Sequence, residues 1–360
     1  MATIINATLS LWVYTGEYLV NKPTNPNYVL YKKVKTDSSV ITFEIAELIK
    51  DFVDVTFTGN YYDIKQTAWA QWTLVQNYDD GTTNTINDEA IASNGYGYFE
   101  DGINPLLLKG ALLSNSKVYN YSGQPLYIPF LTGGTAAFKV EFYNGASIIA
   151  TTIFGVSITS ITADSTLVTA DSTVYTADTS FIGGSSSDDV QYIVAPSAAT
   201  KFIVTLNNNT TETKYIETIE EGKFTPYKVS FLNKFGVIQD LWFFKRRDEN
   251  TQIQKEQYLQ NTLKESGTNV SYSLNEATKV PNNFKVIKGV KLNTGFIDEE
   301  YNEVIQQLLL TERAWIHEDS NVFPILPRTS ELQYKTSLND RLINYTVDFE
   351  YAYNEINLIK

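Results

Sequence analysis

Chemistry at neutral pH usually starts from histidine, cysteine, a metal cluster or a phosphate loop, and this 360-residue chain offers one histidine and no cysteine. Without cysteine there are no disulfides, thiolate metal sites or cysteine nucleophiles. His317 stands in "AWIHEDSN", with no serine nucleophile elbow elsewhere to complete a triad, and reads as a solvent-facing histidine at a strand end. Gly95-Tyr96-Gly97 lacks the third glycine of a dinucleotide loop, and Gly133-Gly134-Thr135 lacks the Walker lysine. Asp79-Asp80-Gly81 has one corner of a calcium loop but neither its alternating ligands nor its distal glutamate, so a hairpin turn accounts for it. An acidic chain always supplies carboxylate pairs for glycoside hydrolysis, and spacing singles out none here. No catalytic residue, cofactor or metal ligand is therefore assigned, and no turnover is expected.

Binding chemistry has one candidate. "NGYGYFEDG" sets Tyr96, Tyr98 and Phe99 before Glu100 and Asp101, residue types that stack on sugars and hold hydroxyls, so a host glycan is a candidate ligand against the plainer reading of a packed loop. Lys245-Arg246-Arg247 is followed at once by Asp248 and Glu249, the pattern of an ion-paired strand end. A net charge of -13 repels phosphate backbones, and nucleic acid is not an expected partner. No window reaches the roughly 18 apolar residues of a membrane span, and "MATIINATLSLWVYTG" has no basic flank. A soluble chain made in the cytoplasm is the expectation.

The elements that must position these residues are mostly strands. With 24 Tyr and 19 Phe against one Met, the composition favours strands and large contact surfaces. The expected fold is mainly β, with several β-sandwich-like domains and two or three short helices packed on sheets. "LSLWVYTGEYLVNKPTNPNYVLY" reads as paired strands, "AWAQWTLVQNYDDGTTNTI" as a hairpin, and "AAFKVEFY" and "ASIIATTIFGV" as further strands. In "ITFEIAELIKDFVDVTF", Ile45, Leu48, Ile49 and Phe52 predict an amphipathic helix of about three turns. Asn104-Pro105 fits the start of a short helix. A hairpin around Asn207-Asn208-Asn209 sets Phe202, Val204 and Leu206 against Tyr215 and Ile219, and "IDEEYNEVIQQLLLTE" carries Tyr301, Val304, Ile305 and Leu308 on one helical face. "FKVIKGVKLNTG", "ELQYKTS" and "RLINYTVDFEYAY" read as strands, with a turn at Asn339-Asp340.

The one internal repeat is "ITADSTL", "VTADSTV", "YTADTSF", which spaces Asp164, Asp171 and Asp178 by seven and ends at "GGSSSDD". An odd period flips the side-chain face at each copy, so short extended pieces broken by turns are expected. The division that follows is 1–156 as an N-terminal β-rich domain with one helix and 157–189 as an insertion or linker. A central β domain at 190–280 and a C-terminal β-α-β domain at 281–360, packed on it, complete the chain.

"FLNKFGVIQDLWFFKRRDEN" is the most apolar stretch, and Phe231, Val237, Ile238, Leu241, Trp242, Phe243 and Phe244 leave no wet face. Such a hairpin is buried between layers or covered by another subunit, which makes Phe231, Trp242, Phe243 and Phe244 core or interface candidates. Together with "VITFEIAELIKDFVD", "GKFTPYKVSFLNKFGVIQDLWFFKRR" and "LNTGFIDEEYNEVIQQLLLTERAWI" followed by "YKTSLNDRLINYTVDFEYAYNEI", this stretch resembles uncharacterised β-rich virion proteins of tailed phages and prophages of Bacteroidetes hosts, including crAss-like phages. The resemblance implies a structural subunit of the tail, baseplate or neck. Such a subunit assembles in the host cytoplasm with copies of itself and with other virion proteins, and the TAD repeat lies outside the resemblance. A receptor-binding module reading host glycans through Tyr96, Tyr98 and Phe99 is the alternative.

Overall fold

Period-two alternation of apolar and polar residues runs through most of the chain, and the protein is built from strands accordingly. The computed structural model describes residues 2–16, 18–34, 41–53, 55–62, 64–102, 110–132, 138–154, 169–170, 173–174, 179–182, 189–206, 210–329 and 342–353. β1 (Ile4–Tyr14), β2 (Tyr28–Lys33), β3 (Thr67–Tyr78) and β4 (Thr83–Ser93) form an antiparallel sheet in the order β2-β1-β3-β4. β3 and β4 turn at Asp80-Gly81, where the Tyr78 amide donates to Thr82 O at 3.0 Å and Gly81 takes φ +80°, a hairpin turn as expected. Helix α1 covers only Ala46–Lys50 and packs Ile49 against Leu11, Val13 and Ala70. The three-turn helix expected here stops early because the residues after Phe52 alternate: Val53, Val55 and Phe57 are all buried, and burying that alternate set needs non-helical chain.

The middle of the chain makes a sandwich. Its strands are β5 (Gly110–Ala111), β6 (Lys117–Tyr121), β7 (Leu126–Thr132), β8 (Phe138–Asn144), β9 (Ser147–Phe154), β10 (Thr169–Ala170), β11 (Thr173–Val174), β12 (Thr179–Ile182), β13 (Asp189–Ala195), β14 (Lys201–Leu206) and β15 (Thr211–Ile219). A six-stranded sheet, β12-β9-β8-β14-β15-β6, faces the three-stranded β13-β7-β5, and β10 and β11 form a separate two-stranded pair. Ile128 and Phe130 of β7 meet Phe138, Phe142, Phe154 and Phe202 between the layers. The β14–β15 hairpin is present, but its register sets Phe202 opposite Lys214, not Tyr215. Lys214 stays buried because its ammonium donates to Leu113 O and pairs with Glu212, both at 2.8 Å, and Tyr215 is exposed.

The last third forms a seven-stranded sheet from β16 (Tyr227–Leu232), β17 (Ile238–Phe243), β18 (Asp248–Leu259), β21 (Lys279–Asn293), β23 (Ala314–Glu318), β24 (Asn321–Pro327) and β26 (Thr346–Tyr351), ordered β17-β16-β23-β24-β26-β21-β18. Between them lie the pair β19 (Leu263–Ser266) and β20 (Asn269–Tyr272), and the pair β22 (Ile297–Asp298) and β25 (Leu342–Ile343). Helix α2 (Asn302–Leu310) buries Val304, Ile305 and Leu308, with Tyr301 just before it, the face expected from the sequence. The two edge strands β17 and β18 are consecutive in the chain. Six inter-strand steps of about 4.8 Å would separate them by roughly 29 Å in a flat sheet. The link from Phe243 to Asp248 reaches at most about 18 Å. The sheet is therefore curled until its edges approach, and the Lys245 amide bonds Asn293 O at 3.1 Å across the gap.

The sheets group the strands differently from the division by composition. β13, β14 and β15 hydrogen-bond with β7, β8 and β6, so 190–219 completes the sandwich begun at 110, and the change of sheet falls at 220–226. β18 and β21 form one ribbon across position 280, and β12, from within 157–189, adds a parallel strand beside β9. The reason is ladder pairing between strands far apart in sequence, which local composition does not encode. The helix start at Asn104-Pro105, the three TAD aspartates, the Asn207–Asn209 turn, Gly133-Gly134-Thr135, "ELQYKTS" and Asn339-Asp340 lie outside the described residues. Among the described residues no helix is long and apolar enough to cross a membrane.

Candidate functional site

The β16–β17 hairpin is core. Phe231 and Phe243 are fully buried, Phe244 is 2% exposed, and Trp242, 7% exposed, donates from Nε1 to Asn120 Oδ1 at 3.1 Å. β17 is an edge strand, yet segment 112–120 covers it: Asn233 Nδ2 donates to Leu112 O at 2.9 Å and Gln239 Nε2 to Asn115 Oδ1 at 3.4 Å. Residues of this chain, not a second subunit, satisfy the apolar run.

Asp240 interrupts that run and organises a polar cluster. It lies directly across β16 from Ser230, whose hydroxyl donates to Asp240 Oδ1 at 2.5 Å, while Tyr61 donates to both carboxylate oxygens at 2.6 and 2.7 Å. Lys228 Nζ donates to the Tyr61 hydroxyl at 3.0 Å and stands 3.4 Å from Asp240. His317 Nε2 is 2.8 Å from Ser230 Oγ. Since Ser230 gives its proton to the carboxylate, Nε2 carries the imidazole proton and donates to Oγ. Burial, then the Lys228 charge, pushes His317 down to about 4, and burial followed by Asp240 raises Tyr61. His317 is thus a half-buried member of β23 and not the solvent-facing residue expected, because its neighbours Ser230 and Phe57 enclose it.

Serine, histidine and aspartate meet here in an order unlike that of a hydrolase. In a triad the carboxylate orients the imidazole and the imidazole takes the serine proton. Here the serine hydroxyl donates its hydrogen bond to the carboxylate and not to the imidazole, and Ser230 has no exposed surface to meet a substrate. The cluster ties the 60–66 loop to β16, β17 and β23, with Tyr127 of β7 stacked on Tyr61 at 3.9 Å. Among the described residues no group of His, Asp and Glu assembles as a metal site.

The three glycan candidates do not make one platform. Tyr96 and Tyr98 meet edge-to-face at 5.8 Å and are half-buried, with Lys234 Nζ 5.8 Å from the Tyr98 ring, and only Phe99 is fully exposed. The glycines of this stretch serve close approach. The Tyr96 amide donates to Lys234 O at 2.8 Å, and a Cβ on Gly95 would lie 2.5 Å from the same oxygen. Gly236, at φ +73°, presses on the Asn94 backbone from the other side, and Ser93 Oγ donates to Phe235 O at 2.7 Å. This docking of the 93–96 loop onto the β16–β17 turn forms one wall of a cleft of ≈ 670 Å³. Ile45, Ile49 and Val53 contribute apolar lining, and Glu44, Glu47 and Glu312 stand around it with Lys50, which pairs with Glu312 at 2.6 Å.

Among the described residues, a further exposed feature lies in none of the sequence candidates. From Thr251 to Val286, β18 and β21 leave the sheet as a two-stranded ribbon tipped by the β19–β20 hairpin, and all twelve β18 residues are exposed. Such a ribbon is marginal alone in water, yet Ile253, Leu259, Leu263, Val270, Tyr272 and Leu274 stand at 57 to 91% exposure. Strand pairing sorts its side chains. Ile253, Lys255, Leu259, Lys279, Pro281 and Phe284 share one face with Thr251, Gln257 and, at its root, the buried Val286, and from Thr251 to Leu259 this face includes no acidic residue. The sequence signal was the alternation Ile253, Lys255, Gln257, Leu259, which equally describes a half-buried strand. When the chain is compared with known proteins, no family model, curated protein or solved structure matches it.

Proposed function

We propose that this chain is a non-enzymatic structural subunit of a tailed-phage virion, joined to copies of itself and to neighbouring proteins in the tail, baseplate or neck. The observation that carries the reading is the exposed apolar ribbon between Thr251 and Val286. A folded chain with a well-buried core has no internal use for six large apolar residues held away from that core, and such an arm gains its stability by lying on a neighbour. The polar cluster supports the same reading: its serine, histidine and aspartate are spent on one another inside the protein. The test is mass spectrometry of purified particles of the phage that encodes the chain. Recovery of its peptides in stoichiometric amounts is expected. Particles lacking them, or purified protein that degrades host polysaccharide with turnover, overturn the proposal.

A further inference from the structure

Arm and cleft lie at opposite ends of the molecule. Successive neighbours in the seven-stranded sheet are antiparallel, so after six steps β17 and β18 run in the same direction. β17 starts at the 233–237 turn, beside the cleft, and β18 starts where β17 ends and continues onward. From Thr251 to Leu259 alone the ribbon extends roughly 30 Å away from the cleft. An arm so aimed cannot return to the cleft of its own chain without reversing the ribbon, but the cleft of another copy is open to it.

The two surfaces match in charge and in apolarity. Between 250 and 286 the arm has Lys255, Lys264, Lys279 and Lys285 against Glu256, Glu265 and Glu276, a balance of +1, which leaves -14 for the rest of the chain out of its total of -13. On the apolar face the imbalance is complete, with Lys255 and Lys279 beside Ile253, Leu259 and Phe284 and no carboxylate. The cleft offers the reverse: Glu44, Glu47 and Glu312 against Lys50, around Ile45, Ile49 and Val53.

We propose that the arm of one copy docks through this lysine-bearing apolar face into the acidic cleft beside α1 of a second copy. The contact joins two different surfaces, so each subunit donates one arm and accepts another, and repetition produces a ring or a filament instead of a closed two-fold dimer. The inference rests on the reading of the chain as an assembly subunit and names its first partner.

The natural absence of cysteine makes the test direct. Full-length Leu259→Cys and Glu47→Cys proteins, mixed with a bifunctional maleimide, are expected to give a covalent dimer that neither protein gives alone. Sedimentation then reads the electrostatics. Lys255→Glu/Lys279→Glu and, separately, Glu44→Lys/Glu47→Lys are each expected to weaken self-association by at least about tenfold, and an equimolar mixture of the two to restore it. Because these side chains are exposed, unchanged circular dichroism melts are expected for both variants. A wild-type chain that is monomeric at every attainable concentration overturns the docking, as does a mixture of the two cysteine variants that forms no cross-link or a charge-reversed pair that fails to complement. If the particles contain the chain and the cross-link fails, only the docking falls; if the cross-link forms and the particles lack the chain, only the virion reading falls.

Discussion

Two consecutive stretches meet opposite fates. Phe231 to Phe244 is closed in by β6, β7, α2 and the far strands of its own sheet, whereas Thr251 to Phe284, seven residues further on, projects into solvent. Both are β-hairpins and both are rich in large apolar residues, so strand propensity does not separate them. The difference is in continuity. The first is apolar on both faces and can rest only between layers. The second has Lys255 and Lys279 among the apolar residues of one face, and Gln252, Gln254, Glu256 and Lys285 with Tyr258 and Val280 on the other, and so tolerates water. Within one chain, the two-sided hairpin builds the fold and the one-sided ribbon remains available.

Breaking the buried hairpin produces the largest effect. Trp242→Ala is expected to cost about 3 to 5 kcal/mol in chemical denaturation, from the lost ring and from Asn120 left without its donor. An unchanged midpoint would show that the hairpin is not core. Acid comes next. His317 has a folded value of about 4 against 6.5 ordinarily, so above pH 6.5 neither state holds the proton and nothing is lost. As pH falls from 6.5 to 4 the unfolded chain takes up a proton that the folded chain refuses, and stability drops by as much as about 3 kcal/mol. The lone histidine gives a single imidazole resonance whose titration reads this directly, and His317→Gln should flatten that share of the profile. Gly95→Ala, which sets a Cβ against Lys234 O, is expected to cost about 1 to 3 kcal/mol by thermal melting. The smallest effect belongs to the arm: Ile253→Ser with Leu259→Ser should move stability by less than about 0.5 kcal/mol while abolishing association. A large loss of stability in that variant would make the arm part of the fold and erase the contrast.

The strands were legible in the sequence because period-two burial leaves a mark at every second residue, and α2 because Tyr301, Val304, Ile305 and Leu308 repeat at helical spacing. Helix α1 was overread, since the stripe ending at Phe52 runs into the alternating Val53, Val55 and Phe57, and local periodicity does not say which of two overlapping patterns tertiary burial will select. The polar cluster draws Tyr61, Ser230, Asp240 and His317 from separate segments, and no spacing rule links them. One local sign was present: a carboxylate in the middle of "VIQDLWFF" must find buried partners, because an unpaired one is too costly to desolvate. The arm was missed for the opposite reason. Its alternation matches that of a half-buried strand, and only the lack of a covering layer among the described residues, a property of the rest of the chain, tells the two apart.

The root of the arm also has a mechanical consequence. β21 does not end where the ribbon leaves the sheet: Gly289 to Asn293 continue into the protein, paired residue for residue with Thr346 to Glu350, and Val290 and Leu292 are buried in the core. The backbone hydrogen bonds of an antiparallel ladder lie across the strands. A pull along the arm therefore loads the ladder at its root in shear, with several bonds resisting together, and does not unzip them in turn. A subunit held by its arm passes tension straight into the core of its seven-stranded sheet.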